Sequence, residues 1–311
     1  MKKRDDFDRR LKEKFRFAVI LTACIFFMEL FGGFWTNSLA LLSDSAHVFM
    51  DFFALGLSWF ALYISAFPPS DTRTYGWHRS EVFASFINGI SLFVVAGVIF
   101  YEAYERIFSP PHVKSMGLLV VATIGLIANI IVAVKLKEYS HDDLNIKSAF
   151  YHVLGDAVAS VGVIIGGVII YFTGLFVVDP IISVFIGLIL LVGATKITLE
   201  SSHILLEGVP KGTDINKVAE TIKAVEGVSG LHSLHVWSIC SNLYALSAHV
   251  EIEDDARNNQ KSILTKIEKE LTHGFHISHT TLQIECEECK GDDLIKPMNH
   301  SHKGHQAGHN H

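Results

Sequence analysis

Apolar residues dominate the first two thirds of the chain, whereas the last third mixes apolar and polar positions. Six stretches are long enough to cross a bilayer as helices, since a hydrocarbon core of about 30 Å needs about 20 apolar residues. They cover approximately residues 15–35, 39–67, 82–107, 116–136, 146–172 and 180–206. The alternative is a large soluble helical bundle, but helices of that kind have polar outer faces, and stretches such as 117–134 have almost none. The pattern predicts six membrane-spanning helices.

After residue 208 the pattern becomes that of a small soluble domain. The spacing of apolar residues and the positions of turn-forming residues predict the order αββαβ. The helices are expected at 213–225 and 254–275, and the strands at 228–238, 244–253 and 280–286. Thr213 and Asp214 are candidate caps of the first helix. The predicted fold class is therefore an α-helical membrane protein with a C-terminal cytoplasmic α+β domain. The predicted divisions are a basic N-terminal segment (1–14), a membrane domain (15–207), the α+β domain (208–290) and a histidine-rich disordered tail (291–311).

Composition agrees with this division and excludes several classes of protein. The 311 residues are 50% apolar and 19% charged, with a mean hydropathy of +0.34, whereas soluble domains carry about 25% charged residues. An intrinsically disordered chain would be less apolar, and four cysteines are too few for a disulfide scaffold. The net charge of −6, without a basic stripe beyond the N-terminus, gives no reason to expect nucleic acid as a partner.

Basic residues predict how the chain is oriented in the bilayer. Residues 1–16 contain eight lysines and arginines, and such clusters remain on the cytoplasmic side. An even number of spans returns the C-terminus to the cytoplasm. The first apolar stretch is too long for the core of a cleavable signal peptide, so none is expected.

Ionisable residues inside predicted spans are costly and usually functional. The second span contains His47 and Asp51, and the fifth contains His152 and Asp156. A separation of four places both side chains of each pair on one helix face. Two imidazoles and two carboxylates suit tetrahedral zinc and match the charge of a divalent ion. The alternative is that each pair is an interhelical hydrogen-bonded contact; its occurrence in two spans favours a metal site.

Two further intramembrane carboxyl groups lie near this predicted site. Asp44 precedes His47 by three residues and is interpreted either as a residue that supports the ligands or lines a water path, or as a structural residue. Glu29 in the first span is a candidate for the same cavity.

A site of four protein ligands at membrane depth favours passage of the metal over catalysis. Catalytic zinc normally keeps an open position for water, so no enzyme activity is expected. Histidine must lose its proton to bind a metal, so binding releases protons. The function predicted from these residues is Zn²⁺/H⁺ antiport that exports metal from the cytoplasm. The main alternative is a membrane-anchored zinc-responsive regulator, although a pure anchor has no need of intramembrane ligands. An intramembrane metalloenzyme would lack a catalytic base.

Five segments resemble motifs of the cation diffusion facilitator zinc transporters. They are residues 38–51, 75–81, 152–156, 231–237 and 246–250. The resemblance implies a homodimer of six-span protomers whose cytoplasmic domain resembles a metallochaperone. It assigns the transport site to His47, Asp51, His152 and Asp156, with zinc as substrate and cobalt or cadmium as further substrates. The lack of a histidine-rich loop between the fourth and fifth spans favours a bacterial plasma membrane.

The same resemblance suggests a metal site in the cytoplasmic domain. His232 and His249 lie on neighbouring predicted strands and can point to one face, where Glu285 of the third strand could join them. The alternative is that both histidines are polar residues at the surface of the domain.

Three other groups remain open. Some family members bind metal in the loop between spans two and three; here Asp71 and His78 match, but Thr74 stands at the other histidine position. Cys286 and Cys289 form a Cys-x-x-Cys pair, which is interpreted as two of four thiolates of a second zinc site, as a docking pair for a metal chaperone, or as two free thiols. The tail contains five of the 17 histidines, which could bind zinc weakly; the alternative is a solvated tail without a role.

Overall fold

The computed structural model describes residues 20–137, 144–240, 243–285 and 294–295. The chain divides into two compact units. The first consists of Met1–Ile64 and Phe83–Ser201, and the second of Ser65–Val82 and Ser202–His311.

Each of the six predicted apolar stretches corresponds to a helix. The helices are α1 (Ile20–Thr36), α2 (Leu39–Ser65), α3 (Ser80–Phe108), α4 (Ser115–Lys137), α5 (Leu144–Thr173) and α6 (Val178–Leu205). By length and composition, α2 to α6 can each cross a membrane, and the described part of α1 is a shorter apolar helix. The predicted beginning of the first span, at residue 15, lies outside the described residues.

In the first unit, large apolar side chains lie on the surface and some carboxyl groups lie inside, which is the reverse of the arrangement in a soluble protein. Phe31, Phe172 and Val192 expose 66%, 79% and 71% of their surface, whereas the carboxyl-bearing Glu29 and Asp44 are buried. Continuous apolar surface of this kind is not stable in water and requires another apolar phase to cover it. The unit is therefore a membrane domain, as predicted, and not a soluble helical bundle.

The small residues of α1 and α4 allow these two helices to approach closely. A Cβ atom added to Gly32 of α1 would lie 2.8 Å from a methyl group of Val121. A Cβ atom added to Gly117 of α4 would lie 2.9 Å from Thr36. Such small residues bring helix backbones together in membranes, where dispersion contacts replace the hydrophobic driving force.

A carboxylate of α6 caps the first turn of α2. Ser38 donates its hydroxyl to Asp179 Oδ1 at 2.6 Å, and the Leu39 amide donates to Asp179 Oδ2 at 2.6 Å. The Ala40 amide lies 3.4 Å from Oδ1. Asp179 is fully buried, so these bonds satisfy amides that no intrahelical carbonyl can reach. The cap links the N-terminal ends of α2 and α6.

The second unit contains the predicted αββαβ order. Its elements are α7 (Ile215–Lys223), β1 (Val228–Cys240), β2 (Leu243–Ile252), α8 (Gln260–Phe275) and β3 (Ile277–Glu285). Of the two candidate caps, Asp214 is the N-cap of α7 and accepts a hydrogen bond from the Asn216 amide. The predicted second helix begins instead as a separate 3-10 helix, Asp254–Asn259. The turn predicted at 241–242 and the end of the third strand at Cys286 lie outside the described residues.

The three strands form one sheet in the order β1-β2-β3, with β1 and β2 antiparallel and β2 and β3 parallel. The parallel pair requires a crossover connection, which α8 supplies. Apolar side chains of the sheet pack against α7 and α8 in a core that includes Ile222, Leu246, Ile267 and Leu271. Leu294 packs against the same core, and its carbonyl accepts a hydrogen bond from the Leu234 amide of β1 at 2.9 Å.

Candidate metal sites

The intramembrane site is built around His47 of α2. Its Nε2 atom lies 3.9 Å from Asp51 Oδ2, one turn further along α2, and 3.6 Å from Asp156 Oδ1 of α5. Asp156 is buried, whereas His47 and Asp51 are partly exposed. The imidazole therefore lies between two carboxylates that come from different helices. The helical spacing that motivated the prediction does bring the α2 pair together.

The fourth predicted ligand, His152, lies on α5 four residues before Asp156, but its side chain lies outside the described residues. Without it, His47, Asp51 and Asp156 do not form a compact three-ligand group. Among the residues that the structure describes, the group whose ligand atoms all lie within 4.8 Å of one another is in the second unit.

Asp44 lies deeper in the protein than the two α2 ligands. Its side chain is 3% exposed, and its Oδ1 atom is buried without a hydrogen-bond partner among the described residues. The Ser160 hydroxyl of α5 is buried in the same way. Buried polar groups normally have protein or water partners, so these atoms mark a polar interior beside His47.

The group in the second unit consists of His232 of β1, His249 of β2 and Glu285 of β3. Glu285 contacts both imidazoles: its Oε1 lies 2.6 Å from His249 Nδ1, and its Oε2 lies 3.4 Å from His232 Nε2. The two rings are 5.0 Å apart between centroids. The three strands thus bring together one candidate ligand atom each, from the residues that the resemblance suggested.

A β-bulge in β1 places His232 on this face. The register passes from His232 opposite His249 to His235 opposite Ser247, so β1 has one extra residue here. Ser233 has a φ of 52°, in the left-handed region. An extra residue reverses which face the following side chains occupy. Leu234 can therefore join the apolar core although it lies only two residues after His232.

Glu251 is a member of this cluster that the sequence analysis missed. Its Oε1 atom lies 3.0 Å from His232 Nδ1, the ring nitrogen that faces away from Glu285. A carboxylate on the second nitrogen orients the ring and raises its basicity toward a metal. The available signal was the spacing from His249, because residues two apart on a strand share a face.

The structure does not bring the loop residues together as a metal group. Asp71 is exposed, and His78 lines a cavity of about 720 Å³ within the second unit. Neither belongs to a three-ligand group among the described residues. Cys286 and Cys289 lie outside the described residues, as does the histidine-rich tail.

Both clusters combine imidazole nitrogen with carboxylate oxygen, a set that suits Zn²⁺ and similar transition metals better than Mg²⁺ or Ca²⁺. The two clusters lie in different domains, and this difference determines what a bound metal ion can do. A cluster inside a membrane domain can bind a cation in transit, whereas a cluster on a soluble sheet can stabilise or report on that sheet.

A multi-pass membrane domain followed by a small α+β domain defines a class of metal efflux proteins, and the chain belongs to the cation efflux, or cation diffusion facilitator, family. The family model for the cation efflux transmembrane domain matches residues 15–206, and that for the cation efflux protein cytoplasmic domain matches residues 210–287. The chain is thus an integral membrane transporter of divalent metal cations and not an enzyme.

Curated relatives match over most of their length. The chain is 41% identical to the metal cation efflux system protein CzcD of Cupriavidus metallidurans, over 92% of this chain and 90% of that protein. It is 38% identical to a cadmium, cobalt and zinc/H(+)-K(+) antiporter of Bacillus subtilis, over 86% and 87%. It is 35% identical to a human proton-coupled zinc antiporter, over 84% and 74%.

Proposed function

We propose that this protein is a Zn²⁺/H⁺ antiporter that exports zinc, and also cobalt or cadmium, from the cytoplasm. The observation that carries the proposal is the position of the His47 imidazole between Asp51 and Asp156 within the membrane domain. We assign the transport site to these three residues together with His152. The names of relatives agree, since they include zinc, cadmium and cobalt antiporters.

Proton coupling follows from the ligand chemistry of this site. An imidazole nitrogen must be unprotonated to donate its lone pair to a metal, so it cannot hold a proton and a metal at the same time. Metal and proton therefore compete for His47 and for the carboxylates. A carrier that loads zinc on one side and protons on the other exchanges the two, so an inward proton gradient drives metal out.

The cytoplasmic cluster of His232, His249 and Glu285 is proposed as a second zinc site with a regulatory role. Its ligands come from three strands, so a bound ion would join these strands and make the stability of the sheet depend on metal. The family to which this cytoplasmic domain belongs is named as a dimer domain of zinc transporters, which supports a homodimer. Basic residues at the N-terminus and an even number of spans support an orientation with both termini in the cytoplasm. The lack of a histidine-rich loop between the fourth and fifth spans supports a bacterial plasma membrane.

Zinc uptake into liposomes that contain the purified protein tests this function. We expect uptake to accelerate when the lumen is made acidic, because protons then leave as zinc enters. Asp51→Asn keeps the size of the side chain but removes a charged ligand, and we expect it to lower uptake at least tenfold.

Asp255→Asn is the matched control, since Asp255 is exposed on the 3-10 helix and far along the chain from the proposed site. We expect it to transport like the wild type. Uptake that is the same at every luminal pH would contradict antiport, and equal uptake by Asp51→Asn would contradict the assigned site. Replacing zinc with cobalt, cadmium or manganese measures selectivity, and a potassium gradient tests whether K⁺ also serves as a counter-ion.

A further inference from the structure

Glu29 of α1 is a buried carboxyl group that the proposed transport mechanism does not use. Its side chain is 1% exposed, and its Oε2 atom has no hydrogen-bond partner among the residues described. It is distinct from the four assigned ligands and lies on a different helix from any of them. A carboxylate without a partner in a low-dielectric environment is costly, so this position needs an explanation.

The other carboxyl oxygen occupies a space left by a glycine. A Cβ atom added to Gly125 of α4 would lie 2.6 Å from Glu29 Oε1 and 3.9 Å from the Ile25 side chain. The missing side chain at position 125 therefore makes room for the carboxyl group between α1 and α4. Neither Gly125 nor Ile25, whose side chain also borders this space, offers a side-chain donor to the carboxyl group.

Glu29 lies on the part of α1 that packs beside the transport site, because Phe26, three residues earlier, stacks on Phe49 of α2 with 6.0 Å between ring centroids. The titratable groups of the neighbouring helices are His47 and the buried Asp44 of α2 and the buried Asp156 of α5, and α4 contributes no titratable side chain between residues 115 and 134. When the transport site holds Zn²⁺, the two charges of Asp51 and Asp156 are offset. When the site is empty, repulsion among the buried carboxylates increases, and a proton is the simplest ligand that removes it.

We propose that Glu29 is a proton-binding site of the transport cycle, separate from the metal ligands: its carboxyl group holds a proton while the transport site is empty and releases it when a divalent cation binds there. The inference rests on the proposed antiport. It assigns part of the counter-transported charge to α1, a helix that contributes no assigned metal ligand. Metal and proton then compete through the electrostatic field of the cavity and not for the same atoms.

The test counts the protons released for each zinc ion bound by the full-length protein. Calorimetric titrations in buffers of different ionisation enthalpy give this number. They are made in a His232→Ala/His249→Ala background, so that the cytoplasmic cluster does not contribute. We expect Glu29→Gln, a neutral group of the same shape, to release about one proton fewer per zinc than its parent. Its zinc affinity at neutral pH should change less than tenfold, and its dependence on pH should become weaker.

Two variants separate this role from a structural one. Glu29→Asp retains a carboxyl group and should restore proton release. Gly125→Ala displaces the carboxyl group and should reduce release, whereas Gly97→Ala, where an added Cβ meets nothing within 4 Å, should not. Proton release by Glu29→Gln equal to that of its parent would overturn the proposal. So would a zinc affinity that depends on K⁺ in the parent but not in Glu29→Gln, since the ligand would then be a metal cation.

Failure of the proposed function would look different. Asp51→Asn in the same background reports on the transport site alone, so undiminished zinc binding by that variant would refute the site whatever Glu29 does. If Asp51→Asn loses binding and Glu29→Gln releases as many protons as its parent, only the role of Glu29 fails.

Discussion

Glu285 is the residue on which the cytoplasmic cluster depends, because its two oxygens each contact a different imidazole. Glu251 acts on the same cluster from the opposite side of His232. A ligand and a residue that orients a ligand should respond differently to the loss of charge, and this difference can be measured.

We expect Glu285→Gln to weaken zinc binding by the cytoplasmic cluster more than a hundredfold, because one ligand is lost. Glu251→Gln should weaken it by about 10–100-fold, since it removes only the group that orients His232. Calorimetry on the full-length protein with Asp51→Asn removes the contribution of the proposed transport site, and each variant is compared with Asp51→Asn alone.

His273→Ala is the control, because His273 is exposed on α8, where its Nδ1 atom lies 2.8 Å from the Lys269 carbonyl oxygen, and is not a member of the cluster. Similar affinities for Glu285→Gln and wild type would contradict a metal site at this position. An affinity of Glu251→Gln lower than that of Glu285→Gln would show that the two roles are reversed.

Residue types and spacing indicated some of the side chains that the structure brings together, but not every member of each cluster. His47 and Asp51 are four apart on one helix, so their proximity follows from helical geometry alone. Asp156 comes from another helix, and only packing determines that it reaches His47. Glu251 was missed because its role depends on the orientation of the His232 ring, which a strand pattern does not specify. The assignment of any of these residues to metal stays a prediction.

At the scale of elements, α2 and α6 are joined at one end by a buried carboxylate, and α1 and α4 by glycines. Both are interhelical contacts in a membrane, where such contacts are worth less individually than burial suggests, because the unfolded chain also finds partners in the bilayer.

Asp179→Ala should reduce the free energy of unfolding by about 1–3 kcal/mol, because Ser38 and the Leu39 amide lose their acceptor. Thermal unfolding of the detergent-solubilised protein measures this effect. Asp179→Asn keeps one acceptor oxygen and should cost less than the alanine variant. An alanine variant as stable as the wild type would mean that the cap does not stabilise the membrane domain.

Gly32→Val should destabilise the membrane domain by about 1–3 kcal/mol, since the added atoms would overlap Val121 of α4. The control is Gly56→Val on α2, where an added Cβ meets nothing within 4 Å. The melting temperature of both variants in the same detergent gives the comparison. Equal melting temperatures would show that α1 and α4 are not closely packed.

The order of elements was accessible from the pattern because six long apolar stretches and an αββαβ alternation are strong periodic signals. Their details were not. Residues 254–259 form a 3-10 turn within an otherwise helical pattern, and the bulge at Ser233 depends on pairing with β2. The position of a helix depends mainly on contacts between residues close in sequence. The register of a sheet depends on partner strands that are distant in sequence.

At the scale of the whole molecule, the two units have separate apolar cores. The core of the second unit draws on α7, α8 and the three strands, and also on Leu294, four residues beyond the predicted end of the domain. The boundary of a stable fragment should therefore lie after this residue.

We expect a fragment of residues 208–295 to fold cooperatively and to be more stable than one of residues 208–290. The longer fragment retains the Leu294 contact and its hydrogen bond to Leu234, which together are worth about 1–3 kcal/mol. Urea unfolding followed by circular dichroism measures the difference. A fragment of residues 208–295 with Leu294→Ala should fall between the two, and equal midpoints for all three would contradict the contact.

The hydrogen bond between the Leu234 amide and the Leu294 carbonyl also bears on the solubility of the protein. β1 is the longest strand of the sheet, with 13 residues, and β2 pairs with only one of its edges. An open edge of this length offers unpaired amides and carbonyls to strands of other molecules and can nucleate aggregation. The bond from the Leu234 amide to the Leu294 carbonyl lies in the middle of this strand, close to the bulge, which itself interrupts regular pairing. We therefore expect this bond to disfavour association of two molecules along β1.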